Sequence, residues 1–285
     1  MSVRDLFAGR RHPRTAFVLG GGGNLGCIQV GMLRALFERG IAPDLVVGCS
    51  VGALNGAAVA HDPTLDGVTK LEAMWRRLES GDVFPSGRMS GPWLLLRKGT
   101  ALYPNTGLRA AIDASFPEAT FEGCRVPLHV VATSMTSGRS RWFSSGPLAE
   151  PLLASSALPA VFPPVETEGD HFIDGGVIDN VPISKAVELG ARRIYVLHVG
   201  NFERPAPMPR RPLDVLVRAF SIARSYRFMV EHANAPDGVE VVTLPGVQPP
   251  RALRHNDFSA SAVLMDRAYL SASTFLSTPA AAAGS

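Results

Sequence analysis

A serine stands between two glycines at residues 48–52, "GCSVG". The apolar run that precedes it, "DLVVGC" (44–49), reads as a buried strand, and "VGALNGAAVAH" after it reads as a helix of small residues. In that setting G-x-S-x-G is a strand-to-helix elbow. It pushes the Ser50 hydroxyl out at the top of a sheet, and Gly48 and Gly52 relieve the crowding of the turn. The positive end of the helix dipole beside Ser50 favours its ionised form. The same pentapeptide also describes a serine capping a helix in a glycine-rich turn. Nucleophilic chemistry therefore needs a base and an oxyanion site from elsewhere in the chain.

The second candidate is "FVLGGGGNLG" (17–26), a strand running through four glycines into a helix. Gly21, Gly23 and Gly26 satisfy the dinucleotide fingerprint G-x-G-x-x-G. The acid that should end the second strand and bind a ribose is missing, because Asp44 begins that strand and Cys49 and Ser50 end it. No Lys-Ser or Lys-Thr follows the glycines, which excludes a Walker A loop. Two adjacent parallel strands bring their C-terminal ends to one crevice. Bare backbone donors beside a serine then suit an oxyanion better than a phosphate.

The third is "HFIDGG" (171–176), where Asp174 ends a strand and is followed by Gly175 and Gly176. Paired glycines let an acid approach closely, although the same three residues also make an ordinary turn. His198, His232 and His255 lie downstream, so a Ser–Asp–His order can be written, but none sits in a loop suited to it. Asp179 competes with Asp174 for the role of base, and Asn180 and Pro182 are expected to shape the turn that holds Asp174.

Elements that would position these groups follow in order. Strand Thr15–Leu19, helix Leu25–Arg39, strand Asp44–Cys49 and the helix after Ser50 imply a parallel sheet with right-handed crossovers. Helices are expected over Leu65–Leu78, over Thr106–Phe116 with Thr106 as N-cap, and over Leu148–Ser156. Leu128–Thr133 and Arg139–Phe143 read as a hairpin. Helix Ile183–Leu189, strand Arg193–Val199, a proline-rich connector (203–213), helix Leu213–His232, strand Val239–Leu244 and helix Ser259–Leu276 complete the chain. The expected organisation is an N-terminal extension (1–14), one domain over 15–276 with its core in 15–200 and a helix–strand–helix close in 213–276, and a flexible tail (277–285).

At 285 residues and 46% hydrophobic content the chain can bury a core without staples. A net charge of +3 gives no indication of a nucleic-acid partner. Three cysteines without a C-x-x-C pair suggest reduced, buried thiols in a cytoplasm, and no metal or other cofactor is expected. No signal-peptide core or spanning apolar run is legible. Oligomeric state is not readable.

"GGGGNLG", "GCSVG", "ASSALPAVFPPV" and "DGGVIDNVPI" occur in the order and rough spacing of the patatin-like phospholipases, which the chain resembles from about Thr15 through Val199. The late "RHNDFSASAVLMDRAYLSAS" is similar to the final helix of bacterial members. The resemblance implies a three-layer α/β/α fold with a mostly parallel sheet, and hydrolysis of acyl esters of lipids by a Ser–Asp dyad without histidine. Carried over by motif, Ser50 is the nucleophile, Asp174 the base, and the N–H groups of Gly21, Gly22 and Gly23 the oxyanion hole. Gly48, Gly52, Gly175 and Gly176 support them. The family loop usually carries Arg or Lys where this chain has Leu25, so no positive charge is expected beside the loop. The partner implied is a lipid or acyl ester, with a peripheral membrane contact for which "GPWLLLRKG" (91–99) and the arginines at 210, 211, 218, 224 and 227 are candidates. A small-ester or thioester hydrolase, an acyltransferase, and a non-catalytic lipid-binding regulator on the same fold are the alternatives.

Overall fold

The computed structural model describes residues 15–85, 100–199, 208, 212–249 and 253–278. Within them, eight strands share one sheet: β1 (Thr15–Leu19), β2 (Leu45–Cys49), β3 (Leu128–Ser134), β4 (Ser140–Phe143), β5 (Val165–Thr167), β6 (Asp170–Asp174), β7 (Arg193–Leu197) and β8 (Glu240–Thr243). Their order is β5-β6-β3-β2-β1-β7-β8, with β4 also paired to β3. β3, β2, β1, β7 and β8 are joined by parallel pairings, while β4 and β6 each run antiparallel to β3.

Alternation along the central strands sends side chains to two cores, one on each face of the sheet. Phe17, Leu19, Val46, Tyr195 and Leu197 enter the larger core. Ala16, Val18, Leu45, Val47, Ile194 and Val196 enter the smaller one. Helices α1 (Cys27–Phe37), α2 (Val51–His61), α3 (Leu65–Arg77), α4 (Ser80–Val83), α5 (Thr106–Ser115) and α6 (Ala149–Ser155) pack on the first face. The second is covered by α7 (Ile183–Glu188) through Ile183 and Ala186, and by α8 (Pro212–Ala233) through Phe228. Helix α9 (Ser261–Leu276) returns to the first face against α1. The fold is therefore three-layered, as the resemblance implied.

Three local expectations are revised. Helix α1 starts at Cys27, because Gly23–Gly26 form a turn of 3₁₀ helix in front of it. Thr106 lies inside α5; Asn105 holds the cap position and makes no side-chain cap bond. Strand β5 was not anticipated, because three residues paired only to β6 leave little periodicity to read. The extension 1–14, the 91–99 stretch, most of the 203–213 connector and tail residues 279–285 lie outside the described residues.

The first face depends on a backbone-to-backbone approach. A Cβ on Gly31 of α1 would stand 2.2 Å from the Met265 carbonyl and 2.8 Å from the Tyr269 nitrogen of α9. Gly31→Leu is expected to lower unfolding free energy by about 1–3 kcal/mol or more, read by urea denaturation. Gly81→Ala, in open space on α4, is the matched control and should cost nothing.

Candidate active site

A strand has two edges, and on β3 their allocation builds the site. β4 pairs with Val130–Thr133 and so takes one edge. The β2 pairing reaches Val131 and the β6 pairing starts at Ala132; both overlap the β4 register, so both must use the opposite edge. β2 runs parallel to β3 and β6 antiparallel, which points their C-terminal ends at each other. Cys49 ends β2 opposite Val131, and Asp174 ends β6 opposite Ala132. The residue after Cys49 is Ser50, and its Oγ donates to Asp174 Oδ2 at 2.6 Å.

Ser50 turns the chain into α2 with φ 54° and ψ −128°, a left-handed conformation strained for a residue with a side chain. The surroundings hold it there. Its N–H donates to Ser155 Oγ at 2.8 Å, and its carbonyl accepts from the Ala53 N–H at 2.8 Å. A Cβ on Gly48 would sit 2.6 Å from the Gly52 carbonyl, and one on Gly52 would sit 2.2 Å from the Leu19 carbonyl. Gly48 is thus required by the close return of the first turn of α2, and Gly52 by the packing of that turn against the end of β1.

Asp174 is 2% exposed. Its second oxygen, Oδ1, accepts from the Gly176 N–H at 2.7 Å and faces the buried Cys49 thiol at 3.9 Å. Burial pushes the carboxyl above its ordinary range, opposed by the Arg224 charge, the Ser50 hydroxyl and the Gly176 N–H. Gly175 lets the turn lie on β3, since a Cβ there would meet the Val131 carbonyl at 2.4 Å. Burial and the Asp174 charge drive the Cys49 thiol well up, so it stays protonated.

The glycine loop is suspended from both sides. Trp75 Nε1 donates to Asn55 Oδ1 at 2.9 Å, and Asn55 Nδ2 donates to Gln29 Oε1 at 2.8 Å and to the Gly26 carbonyl at 3.0 Å. Gln29 Nε2 then donates to the carbonyls of Gly20 at 2.7 Å and Leu197 at 3.0 Å. Every member of this chain is buried, so its satisfied polar groups fix one loop conformation. Gly23 has φ +59°, a left-handed conformation that favours glycine there. The three glycines expected to form the oxyanion hole are not equivalent. The Gly21 N–H is taken by the Asn180 carbonyl at 3.2 Å, whereas Gly22 and Gly23 line the cavity with Ser50 and Asp174.

A second correction concerns charge. Leu25 brings none, but Arg224 of α8 does: its Nη2 donates to the Gly21 carbonyl at 3.0 Å and to Asn180 Oδ1. Asp179, the competing acid, faces Arg227 of α8 at 3.9 Å and has no bond to Ser50. His198 stacks on Phe228, His232 packs edge-on to the same ring, and His255 packs against Phe84 and Tyr103. Sequence reasoning did not find Ser155, Gln29, Asn55 or the role of Arg224. A lone Gln and a lone Asn within apolar helical segments were the available signal for two of them.

The Ser50 side opens on a cavity of about 2000 Å³. Leu54, Leu71, Met74, Leu108, Ile112 and Phe258 give it apolar walls, suited to acyl chains. The fold is an α/β one that brings Ser50 and Asp174 into hydrogen-bond contact at converging strand ends. A family model for the patatin-like phospholipases matches residues 17–187, and the chain belongs to that family. It is 31% identical over 188 residues to patatin-like phospholipase domain-containing protein 7 of Rattus norvegicus, covering 65% of this chain and 14% of that protein. It is also 31% identical over 196 residues to lysophospholipase NTE1 of Mycosarcoma maydis, covering 67% and 10%. The chain thus spans a small part of the length of these relatives. The crystal structure of VipD from Legionella pneumophila aligns over 93% of this chain and 67% of its own, with 15% identity and a TM-score of 0.49.

Burial and Glu231 raise the Asp179 carboxyl to about 7, against 3.8 for an ordinary Asp. Between those pH values the folded state holds a proton that the unfolded chain has lost, so this group's contribution to stability falls as pH rises through the window. Asp179→Asn removes that fall. Relative to wild type, its urea midpoint should improve between pH 5 and pH 8; a pH-independent difference would contradict the assignment.

Proposed function

We propose that this chain is a serine acyl hydrolase that cleaves carboxylic esters of lipids through Ser50 and Asp174, by way of an acyl-enzyme. The observation that carries this reading is the 2.6 Å hydrogen bond from Ser50 Oγ to a buried carboxylate beside an apolar cavity. Family membership and the names of the lysophospholipase relatives support the lipid class of substrate.

In this mechanism Ser50 Oγ attacks the ester carbonyl carbon while its proton passes to Asp174 Oδ2. Negative charge gathers on the carbonyl oxygen, which takes hydrogen bonds from the N–H groups of Gly22 and Gly23. Collapse breaks the ester C–O bond, and Asp174 returns the proton to the leaving alcohol. Water then gives its proton to Asp174, and its oxygen attacks the acyl carbon. Ser50 leaves as the fatty acid forms, and recovers the proton. A carboxylate raised by burial is a stronger base than a solvated one, provided that it remains ionised at the working pH. Activity should accordingly fall on acidification through the raised Asp174 pKa.

Substrate reaches the cavity from a lipid surface in this reading; among the described residues no helix is long and apolar enough to cross a membrane. The test is a panel of lysophospholipid, diacyl phospholipid and soluble aryl ester, assayed with wild type, Ser50→Ala and Asp174→Asn. Both variants should lose at least about 10³-fold in turnover on every substrate that wild type hydrolyses. Hydrolysis by Ser50→Ala at the wild-type rate would refute the assignment.

A further inference from the structure

We infer that Arg224 is a positioning residue that locks the glycine loop and the Asp174-bearing turn into one frame. The inference rests on the Ser50–Asp174 reading above. Gly21 and Asn180 already clasp each other: the Gly21 N–H donates to the Asn180 carbonyl at 3.2 Å, and Asn180 Nδ2 reaches the Gly21 carbonyl at 3.5 Å. The Arg224 guanidinium closes the clasp, with Nη2 on the Gly21 carbonyl at 3.0 Å and on Asn180 Oδ1. One side chain therefore ties together the loop after β1, the turn after β6 and helix α8. With both polar groups of Gly21 engaged, the loop's orientation is fixed at the residue immediately before Gly22 and Gly23.

The clasp is tight against the nucleophile. A Cβ built on Gly21 would meet Asn180 Oδ1 at 2.6 Å, Ser50 Cβ at 3.0 Å and Arg224 Nη2 at 3.2 Å. Three functional groups thus surround one point of the loop, and Arg224 also lines the cavity with Ser50 and Asp174. The guanidinium brings a positive charge to a site that holds a buried carboxylate. Its planar fork presents donors in a fixed geometry, whereas a lysine would bring a point charge.

Helix α8 is itself anchored so that Arg224 cannot drift. Phe228 is buried in the smaller core and stacks on His198, with ring centroids 5.2 Å apart. Arg227 faces Asp179, and Glu231 accepts from the Ser184 N–H at 3.4 Å and its hydroxyl at 3.2 Å. The Arg224 guanidinium also lies over the Phe220 ring at 5.1 Å.

The test compares Arg224→Gln, Arg224→Met and Arg224→Lys with wild type and Ser50→Ala on a soluble aryl ester, measuring kcat, KM, the pH profile of kcat and thermal midpoint. The Gln and Met variants should lose about 10²-fold in kcat with KM within about twofold. The acid limb of their profile should move to higher pH, because Asp174 has lost the positive charge that opposes its upward shift. Arg224→Lys should restore the acid limb and only part of kcat. Gln and Met variants with wild-type kcat and an unmoved acid limb would overturn the inference, as would a loss matched by unfolding alone with the limb unmoved. If Ser50→Ala retains activity, the hydrolase reading falls first and this inference with it.

Discussion

Two strand ends aimed at each other along one edge of β3 are the constraint on which the site depends. Because β4 holds the other edge, β2 and β6 must abut, and the register places Cys49 and Asp174 on consecutive positions of β3. The first residue beyond β2 is then forced over the last residue of β6. No flexible loop has to bring acid and hydroxyl together. The backbone ladder does so, with the rigidity of a buried sheet.

Every other feature of the site makes that meeting tolerable. Ser50 accepts a left-handed backbone, stabilised by Ser155 and by the close contacts that Gly48 and Gly52 permit. Asp174 is buried where a lone carboxylate would be costly, and the Ser50 hydroxyl, the Gly176 N–H and the Arg224 charge offset that cost. The glycine loop is held by Gln29 and Asn55 from within and by Asn180 and Arg224 from the other side. Strain and burial are concentrated at Ser50 and Asp174, and the satisfied polar network around them keeps the geometry single-valued.

Much of this was legible before the structure. The strand–Ser50–helix elbow followed from an apolar run, a G-x-S-x-G and a helix of small residues, and the short apolar run Thr15–Leu19 read as a buried strand. Asp174 was legible only as an acid before two glycines. Nothing in periodicity says that β6 runs antiparallel to β3 on the edge that β2 also uses, because pairing is decided by tertiary contacts and not by the strand's own residues. The unequal roles of Gly21, Gly22 and Gly23 were hidden for a similar reason: which N–H is consumed depends on Asn180, far along the chain. Arg224 read as one of several arginines on a basic helix. Its contacts with Gly21 and Asn180 come from where α8 docks, which spacing within the helix does not encode.

The central claim is that Ser50 reacts and that the glycine loop receives the oxyanion. A crystal structure of the enzyme inactivated by a long-chain alkyl fluorophosphonate tests both at once. The account predicts a phosphorus–oxygen bond to Ser50 Oγ, the phosphonyl oxygen within about 3 Å of the Gly22 and Gly23 nitrogens, and the alkyl chain among Leu54, Leu71 and Ile112. An adduct on another residue, or a phosphonyl oxygen turned away from the glycine loop, would contradict it.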